Sequence, residues 1–342
     1  MSIHRARPSW EILSGDSADV YFARAERILE REGLDPVVTM EVFARQDAIL
    51  CGIGEAKNLL GHVLSDEDET VIESLDDGDA IAPKEVVLRI TARYRAFGLY
   101  ETAILGMLAQ STGWATAARE VVQAAAPEPV ISFGARHVHP DITDVLDYAA
   151  IVGGCVGAST PAGARLAGLN PTGTMPHALV LIFGDTVDAA LAFDRDLDPD
   201  VPRIVLVDTF KDEAEEALRV AEALGERLFG IRLDTPSERG RVTADLVHEV
   251  RARLDQAGHG SVKIVVSGGL TPDRIRYFKE AGTPVDSFAV GSYISGARPV
   301  DFTADLKEID GRPIAKRGRI PGRTDSPRLR PVRLADWREG GP

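Results

Sequence analysis

The feature that most restricts the fold of this chain is a rhythm that begins after Pro129. From there to Val290, short apolar runs alternate with longer amphipathic ones. Val130–Phe133, Cys155–Gly157, Arg203–Val207, Leu228–Ile231, Lys263–Val266 and Ser287–Val290 read as strands. Asp141–Val152, Pro161–Leu166, Pro176–Phe183, Thr186–Phe193, Asp212–Leu224, Glu238–Gln256 and Pro272–Ala281 read as the intervening helices. A helix between two strands returns the chain to the same end of the sheet, so the strands run parallel with right-handed crossovers. The expected class is α/β, with residues 127–299 forming an irregular or incomplete parallel α/β barrel. The stretch is shorter than the roughly 200–250 residues of a complete eightfold barrel.

Residues 1–126 read differently. Ala18–Glu32 has a helical pattern ended by Gly33, while Val37–Phe43, Val71–Leu75 and Val86–Tyr94 have strand character. Val86, Leu88 and Ile90 alternate with Val87, Arg89 and Thr91, the period of a half-buried strand, and Asp76-Asp77-Gly78 supplies a turn. Tyr100–Ala126 reads as one long helix or as a pair broken at Gly113, closed by Pro127 and Pro129. The expectation is an N-terminal α+β domain with an antiparallel sheet. Residues 300–342 form a basic tail (Lys316, Arg317, Arg319, Arg323, Arg328, Arg330, Arg333), expected to pack back on the N-terminal domain or on a neighbouring subunit.

Composition excludes several classes. At 44% hydrophobic residues the chain can bury a sizeable core, yet no apolar window is long enough to span a membrane. Met1–Trp10 has no apolar signal core, and Cys51 and Cys155 are too few for a disulfide framework, so a cytoplasmic location is expected. A net charge of −14 argues against a general nucleic-acid binder.

The chemistry sits where strands empty into helices. In Ser132–Pro140, the residues Phe133, Gly134, Arg136, His137 and His139 follow a strand and precede Asp141, a candidate helix cap. An aromatic face beside a guanidinium suits a flat anionic ring; the alternative is an ordinary turn with solvated basic residues. Ser267-Gly268-Gly269-Leu270 follows a strand and leads into a helix with Thr271 as cap and Pro272 first, and Gly291-Ser292 follows the next strand. Backbone amides of such turns bind phosphate. Asp208 lies just past a buried strand, and Arg232 and Asp234 share one face of another. They suit a sugar diphosphate or its Mg²⁺, or form a structural pair at the sheet rim. His177 opens a helix after a Thr-Gly-Thr turn.

The ordered set Phe-Gly-x-Arg, Gly-x-Ser-Thr-x-Ala-Gly, Gly-Thr-Met-Pro-His, Val-Asp-Thr, Arg-Leu-Asp, Ser-Gly-Gly-Leu and Val-Gly-Ser resembles nicotinate phosphoribosyltransferase, of the type II phosphoribosyltransferase class, in its shorter prokaryotic form. The likeness runs from about Asp19 to about Arg319. It implies nicotinate, 5-phosphoribosyl 1-pyrophosphate and ATP as substrates, Mg²⁺ as cofactor, and nicotinate mononucleotide and pyrophosphate as products. Phe133 would stack on the ring with Arg136 beside it, Ser159 and Thr160 would face its carboxyl group, and Tyr21 would reach it from a neighbouring subunit. The minimum assembly would then be a homodimer. Asp208, Arg232 and Asp234 would hold the phosphoribosyl donor, with Asp208 and Asp234 toward Mg²⁺. Gly268, Gly269, Gly291 and Ser292 would cradle the 5′-phosphate, and His177 would carry a phosphoryl group from ATP. Two departures stand out. No cysteine follows Asp310–Gly318, so no zinc is expected, and Arg136-His137 replaces an Arg-Arg pair. The rivals are quinolinate phosphoribosyltransferase, which needs more cations for a second carboxylate, and a non-catalytic nucleotide-binding homologue.

Overall fold

The computed structural model describes residues 8–64 and 70–338. Residues 1–7 of the stretch read as lacking a signal core, and 339–342 of the basic tail, lie outside the described residues. Five strands precede the long helix: β1 (Val37–Ala44), β2 (Ala48–Ile49), β3 (Val71–Ser74), β4 (Ala80–Ile81) and β5 (Val86–Arg93). Six follow it: β6 (Val130–Ser132), β7 (Gly157–Ala158), β8 (Arg203–Leu206), β9 (Leu228–Leu233), β10 (Lys263–Val266) and β11 (Ser287–Val290). Three close the chain: β12 (Phe302–Ile309), β13 (Arg312–Pro313) and β14 (Arg330–Val332). The architecture is mixed α/β, in two compact units. One holds the described parts of Met1–Thr116, Leu166–Gly168 and Ala297–Pro342; the other holds Ala117–Arg165 and Leu169–Gly296.

The first unit is built on an antiparallel sheet in the order β13-β12-β1-β5-β3-β14. Val38, Met40 and Val42 of β1 and Leu88 and Ile90 of β5 pack with Leu59, Leu60, Ile104 and Leu108 from helices. Burying each such side chain stabilises the unit by roughly 1.5–3 kcal/mol. The helix Glu101–Ala125 is continuous through Gly113. That glycine serves close approach instead of a break: a side chain there would collide with the Arg298 carbonyl and sit 3.3 Å from Pro299 Cα. The basic tail spends its charge locally. Arg319 pairs with Asp305 (2.7 Å), Arg323 with Glu308 (2.8 Å), Arg328 with Glu85 (2.7 Å), and Arg330 with Asp76.

The second unit holds a wholly parallel sheet in the order β7-β6-β11-β10-β9-β8. Among the described residues the outer strands β7 and β8 do not pair with each other, so the sheet stays open. β6 and β8 are buried along their whole length, as a sheet covered on both faces requires. Local caps set the helix starts: Asp185, Asp212, Thr243 and Thr271 each accept an amide from the first turn, and Pro272 follows Thr271 as expected. The start near Asp141 differs. Pro140 holds His139 in extended backbone and opens a short 3₁₀ turn, Pro140–Ile142, whose cap is the His139 ring accepting from the Asp141 amide (3.3 Å). The helix proper is Thr143–Gly153. No helix among the described residues is long and apolar enough to cross a membrane.

Candidate active site

Every strand of the parallel sheet ends, at its C-terminal edge, in a residue singled out by the sequence. Phe133 follows β6, Ser159 follows β7, Asp208 follows β8, Arg232 and Asp234 close β9, Ser267 to Gly269 follow β10, and Gly291 and Ser292 follow β11. This is the end at which open parallel sheets bind ligands. A cavity of about 390 Å³ opens there, and Phe133, Arg136, Ser159, Arg232, Asp234, Gly268, Gly269, Gly291 and Ser292 all line it.

Phe133 is fixed by its own backbone, whose amide donates to the Val290 carbonyl (2.8 Å). Its ring packs against Ile204, Val265 and Ala289, and the Arg232 guanidinium carbon lies 5.0 Å from the ring centroid. The guanidinium is held on every side. Nε donates to Ser267 Oγ (2.8 Å), Nη1 to Thr174 Oγ1 (3.1 Å) and Nη2 to Asp234 Oδ2 (2.8 Å). Ser267 Oγ in turn donates to Asp234 Oδ1 (2.7 Å). Yet only one of these partners is a carboxylate. Burial pulls the Arg232 pKa down; Asp234 and Asp208 oppose this, Arg136 adds to it, and the net shift is downward. A guanidinium left short of negative charge, beside a second one, is a place where a bound anion is stabilised.

Asp208 and His177 sit together next to Met175 and Pro176, which line the cavity. His177 Nε2 lies 3.1 and 3.2 Å from the two oxygens of Asp208, and when protonated it donates to them. The Asp208 side chain is 2% exposed. Burial raises its pKa, and the bond from His177 opposes that shift.

The two glycine turns follow the neighbouring strands β10 and β11. Gly268 (φ 90°) and Gly269 (φ 63°) are consecutive left-handed residues, and the amides of Gly268, Gly269 and Leu270 find no acceptor among the described residues. Successive free amides in this conformation form an anion-binding concavity. Gly291 is demanded by packing: a Cβ there would lie 2.9 Å from the Phe133 carbonyl oxygen.

Of the expected ligands within the second unit, Asp208, His177 and Thr160 do not line the cavity; Tyr21 is expected from a neighbouring subunit. The Thr160 hydroxyl donates to Asp147 (2.6 Å) and accepts from the Gly163 amide (3.0 Å), so it holds the loop that presents Ser159. Tyr21 is exposed on the helix Val20–Glu32 of the first unit, its hydroxyl 3.3 Å from Asp19. Conversely, His137, Thr174, Met175 and Ser267 line the cavity without having been picked as ligands. Asp147 is a further residue not foreseen. Fully buried, it accepts from Ser132 Oγ (3.3 Å), the Thr160 amide (3.1 Å) and the Thr160 hydroxyl, tying the end of β6 to the end of β7. The available signal was an Asp inside an apolar run, Leu146–Ala150.

Comparison with known proteins corrects the identification. The family model "Quinolinate phosphoribosyl transferase, N-terminal domain" matches residues 19–112, and the corresponding C-terminal domain model matches 114–305. The crystal structure of nicotinate-nucleotide pyrophosphorylase from Pyrococcus furiosus is 43% identical, with a TM-score of 0.85, and the match covers 94% of this chain and 82% of that one. A probable nicotinate-nucleotide pyrophosphorylase of Methanothermobacter thermautotrophicus is 22% identical over 80% of this chain and 89% of its own. Nicotinate phosphoribosyltransferase pncB2 of Mycobacterium tuberculosis is 32% identical, over 69% of this chain and 51% of its own. The chain spans about half the length of the first of the curated relatives it matches. The paired domain models and the Pyrococcus structure overturn both the resemblance to type II nicotinate phosphoribosyltransferase and the nicotinate-using, ATP-coupled reaction inferred from it. The phosphohistidine role given to His177 falls with that reaction.

Proposed function

The chain belongs to the quinolinate phosphoribosyltransferase family, and on that premise we propose that it transfers the phosphoribosyl group of 5-phosphoribosyl 1-pyrophosphate to quinolinate with loss of CO₂. The products are nicotinate mononucleotide, pyrophosphate and CO₂. The observation that carries this reading is the under-compensated Arg232 beside Arg136, facing one cavity with Phe133 and His137. A pyridine ring with two carboxylates, toward Arg136, and the donor's diphosphate, toward Arg232, together bring the negative charge this arrangement lacks, and the ring itself matches the Phe133 face.

The ring nitrogen attacks the anomeric carbon as the bond to the diphosphate breaks, and pyrophosphate leaves with the electron pair. The bond from C2 to its carboxylate then breaks, and its electron pair stays on C2, stabilised by the adjacent positive ring nitrogen. CO₂ departs, and C2 takes a proton from water. Loss of CO₂ makes the sequence irreversible, so no ATP is required. The protein's part is positioning and charge. Phe133 orients the ring, while Arg136, His137 and Ser159 face its carboxylates. Arg232, anchored by Ser267 and Asp234, takes up charge on the departing diphosphate. Gly268, Gly269, Gly291 and Ser292 receive the 5′-phosphate. His177 keeps the buried Asp208 carboxylate charged and oriented toward the donor.

Mg²⁺ carried by the diphosphate is part of this proposal. Among the described residues no group of three or more His, Cys, Asp or Glu side chains could hold a metal, while Asp208 and Asp234 stand at neighbouring strand ends. Mg²⁺ commonly uses one or two carboxylates and takes its remaining ligands from phosphates and water. When bound, it would neutralise the diphosphate. A homodimer or larger homo-oligomer, with Tyr21 offered to a neighbouring copy, belongs to the same proposal and is read by sedimentation.

The test incubates purified protein with Mg²⁺, 5-phosphoribosyl 1-pyrophosphate and quinolinate, nicotinate or nicotinamide, with and without ATP. The expected result is one CO₂ per nicotinate mononucleotide from quinolinate, unaffected by ATP. Turnover of nicotinate with quinolinate left untouched would sink the proposal, and no turnover of any pyridine would favour a non-catalytic homologue.

A further inference from the structure

We propose that Arg241 is a ligand of the 5′-phosphate; the inference rests on reading the Gly268–Gly269 turn as a phosphate cradle. Arg241 lies in the connection between β9 and the helix Ala244–Gln256. Its backbone is left-handed (φ 68°), as is that of Gly240 before it (φ 91°). A non-glycine residue is strained in this conformation, so something fixes it there. Two local bonds do: the Gly240 amide donates to the Ser237 carbonyl (3.1 Å) and the Arg241 amide to the Pro236 carbonyl (3.1 Å).

The consequence is where the side chain goes. Arg241 Nη1 occupies the space that a Cβ on Gly269 would fill. Gly269 is thus required twice, by its own φ and by the guanidinium laid against it. Arg241 is exposed and makes no side-chain hydrogen bond or ion pair among the described residues; Glu238 feels its charge only at longer range. Two nearby cations are engaged, Arg232 with Ser267, Thr174 and Asp234 and Arg274 with the Val242 carbonyl (2.7 Å). A free guanidinium held beside a row of free amides supplies what amides lack, a full positive charge. An amide nest with one charged donor binds a phosphate dianion better than either group alone.

Calorimetric titration of the full chain with ribose 5-phosphate, pyrophosphate and quinolinate separates the possibilities, using wild type, Arg241→Ala and Arg241→Lys. Arg241→Ala is expected to weaken ribose 5-phosphate by about tenfold or more and Arg241→Lys by less, with unchanged thermal melting. Pyrophosphate and quinolinate should bind all three proteins alike. Equal ribose 5-phosphate affinity in wild type and Arg241→Ala overturns the role of Arg241 alone. A loss confined to pyrophosphate overturns it too, by moving the residue to the other end of the donor. Failure of wild type to bind ribose 5-phosphate removes the phosphate reading of the turn, and Arg241's role with it.

Discussion

Two arginines, one in each unit, are bonded almost alike and do opposite things. Arg89 sits in mid-sheet, with Glu41 of β1 and Glu73 of β3 directly beside it in the register. Its Nε donates to Glu41 (2.9 Å), Nη1 to Glu73 (3.0 Å) and Nη2 to the Thr324 carbonyl (2.5 Å). Arg232 also uses all three nitrogens, but on two hydroxyls and a single carboxylate. Burial pulls both pKa values down. For Arg89 the bonds to Glu73 and Glu41 outweigh burial and the net shift is upward; for Arg232 the net shift is downward. Arg89 has its negative charge already, whereas Arg232 is left wanting some and faces a cavity. A buried charge therefore marks a site only when its neighbours under-pay it and space adjoins it.

The strongest way to break this contrast is to remove each arginine. Arg232→Ala should lower kcat/KM on the order of a thousandfold, the scale of losing a main stabiliser of transition-state charge. Its melting midpoint should stay within a few degrees of wild type. Arg89→Met should do the reverse, because Glu41, 1% exposed, would lose its close cation and keep, among the described residues, the Thr324 amide (2.9 Å) and Lys307 at 4.0 Å. Breaking a buried pair costs about 3–5 kcal/mol, which denaturant unfolding would read, while kcat/KM of the folded fraction should hold within about twofold. If Arg232→Ala chiefly lowers the melting midpoint and leaves turnover intact, the two arginines are alike after all.

A smaller effect would sharpen the comparison inside the cavity. Ser159 lines it and carries no charge. Ser159→Asp puts a carboxylate opposite a dianionic ring, so KM for quinolinate should rise by roughly ten- to a hundredfold from like-charge repulsion. Affinity for ribose 5-phosphate should not move. An unchanged KM would mean that the Ser159 loop faces away from the ring.

These cases also show what a sequence can carry. The Arg232–Asp234 pair was legible because a strand places alternate residues on one face, and the Gly268–Gly269 turn because left-handed backbone has a local chemical signature. The parallel sheet followed from the alternation of strand and helix. The ring end was misread for a physical reason. Its recognition rested on Arg136-His137 and Ser159, whereas the charge a ligand meets depends on Arg232 lying near Arg136, a tertiary fact. Thr160 was read as a ligand because its hydroxyl is polar and near the turn; its partner Asp147 lies on a preceding helix and could not be paired with it from spacing. The basic tail is expected to pack on the N-terminal domain or on a neighbouring subunit, but which carboxylates meet its arginines is set by the folded sheet, which brings up Asp305, Glu308 and Glu85.

The smallest expected effect tests whether charge in the first unit is purely structural. Glu101 opens the helix Glu101–Ala125, and its pKa is pushed from 4.5 to about 7 by burial, then by Asp305 and Asp19. A raised folded-state pKa means that the fold favours the protonated acid. Its contribution is fully present below pH 4.5 and is lost as pH rises through about 7. Glu101→Gln, neutral at every pH, should therefore stabilise the protein at pH 8 and do little at pH 4. The gain should be about 1 kcal/mol once solvent screening of a partly exposed group is discounted. Denaturant unfolding of both proteins at the two pH values reads the difference directly, and a gain independent of pH would refute the titration. The pH profile of kcat/KM should be the same in both proteins. A shift in that profile would show that charge in the antiparallel unit reaches the chemistry, and the division drawn from Arg89 and Arg232 would no longer hold.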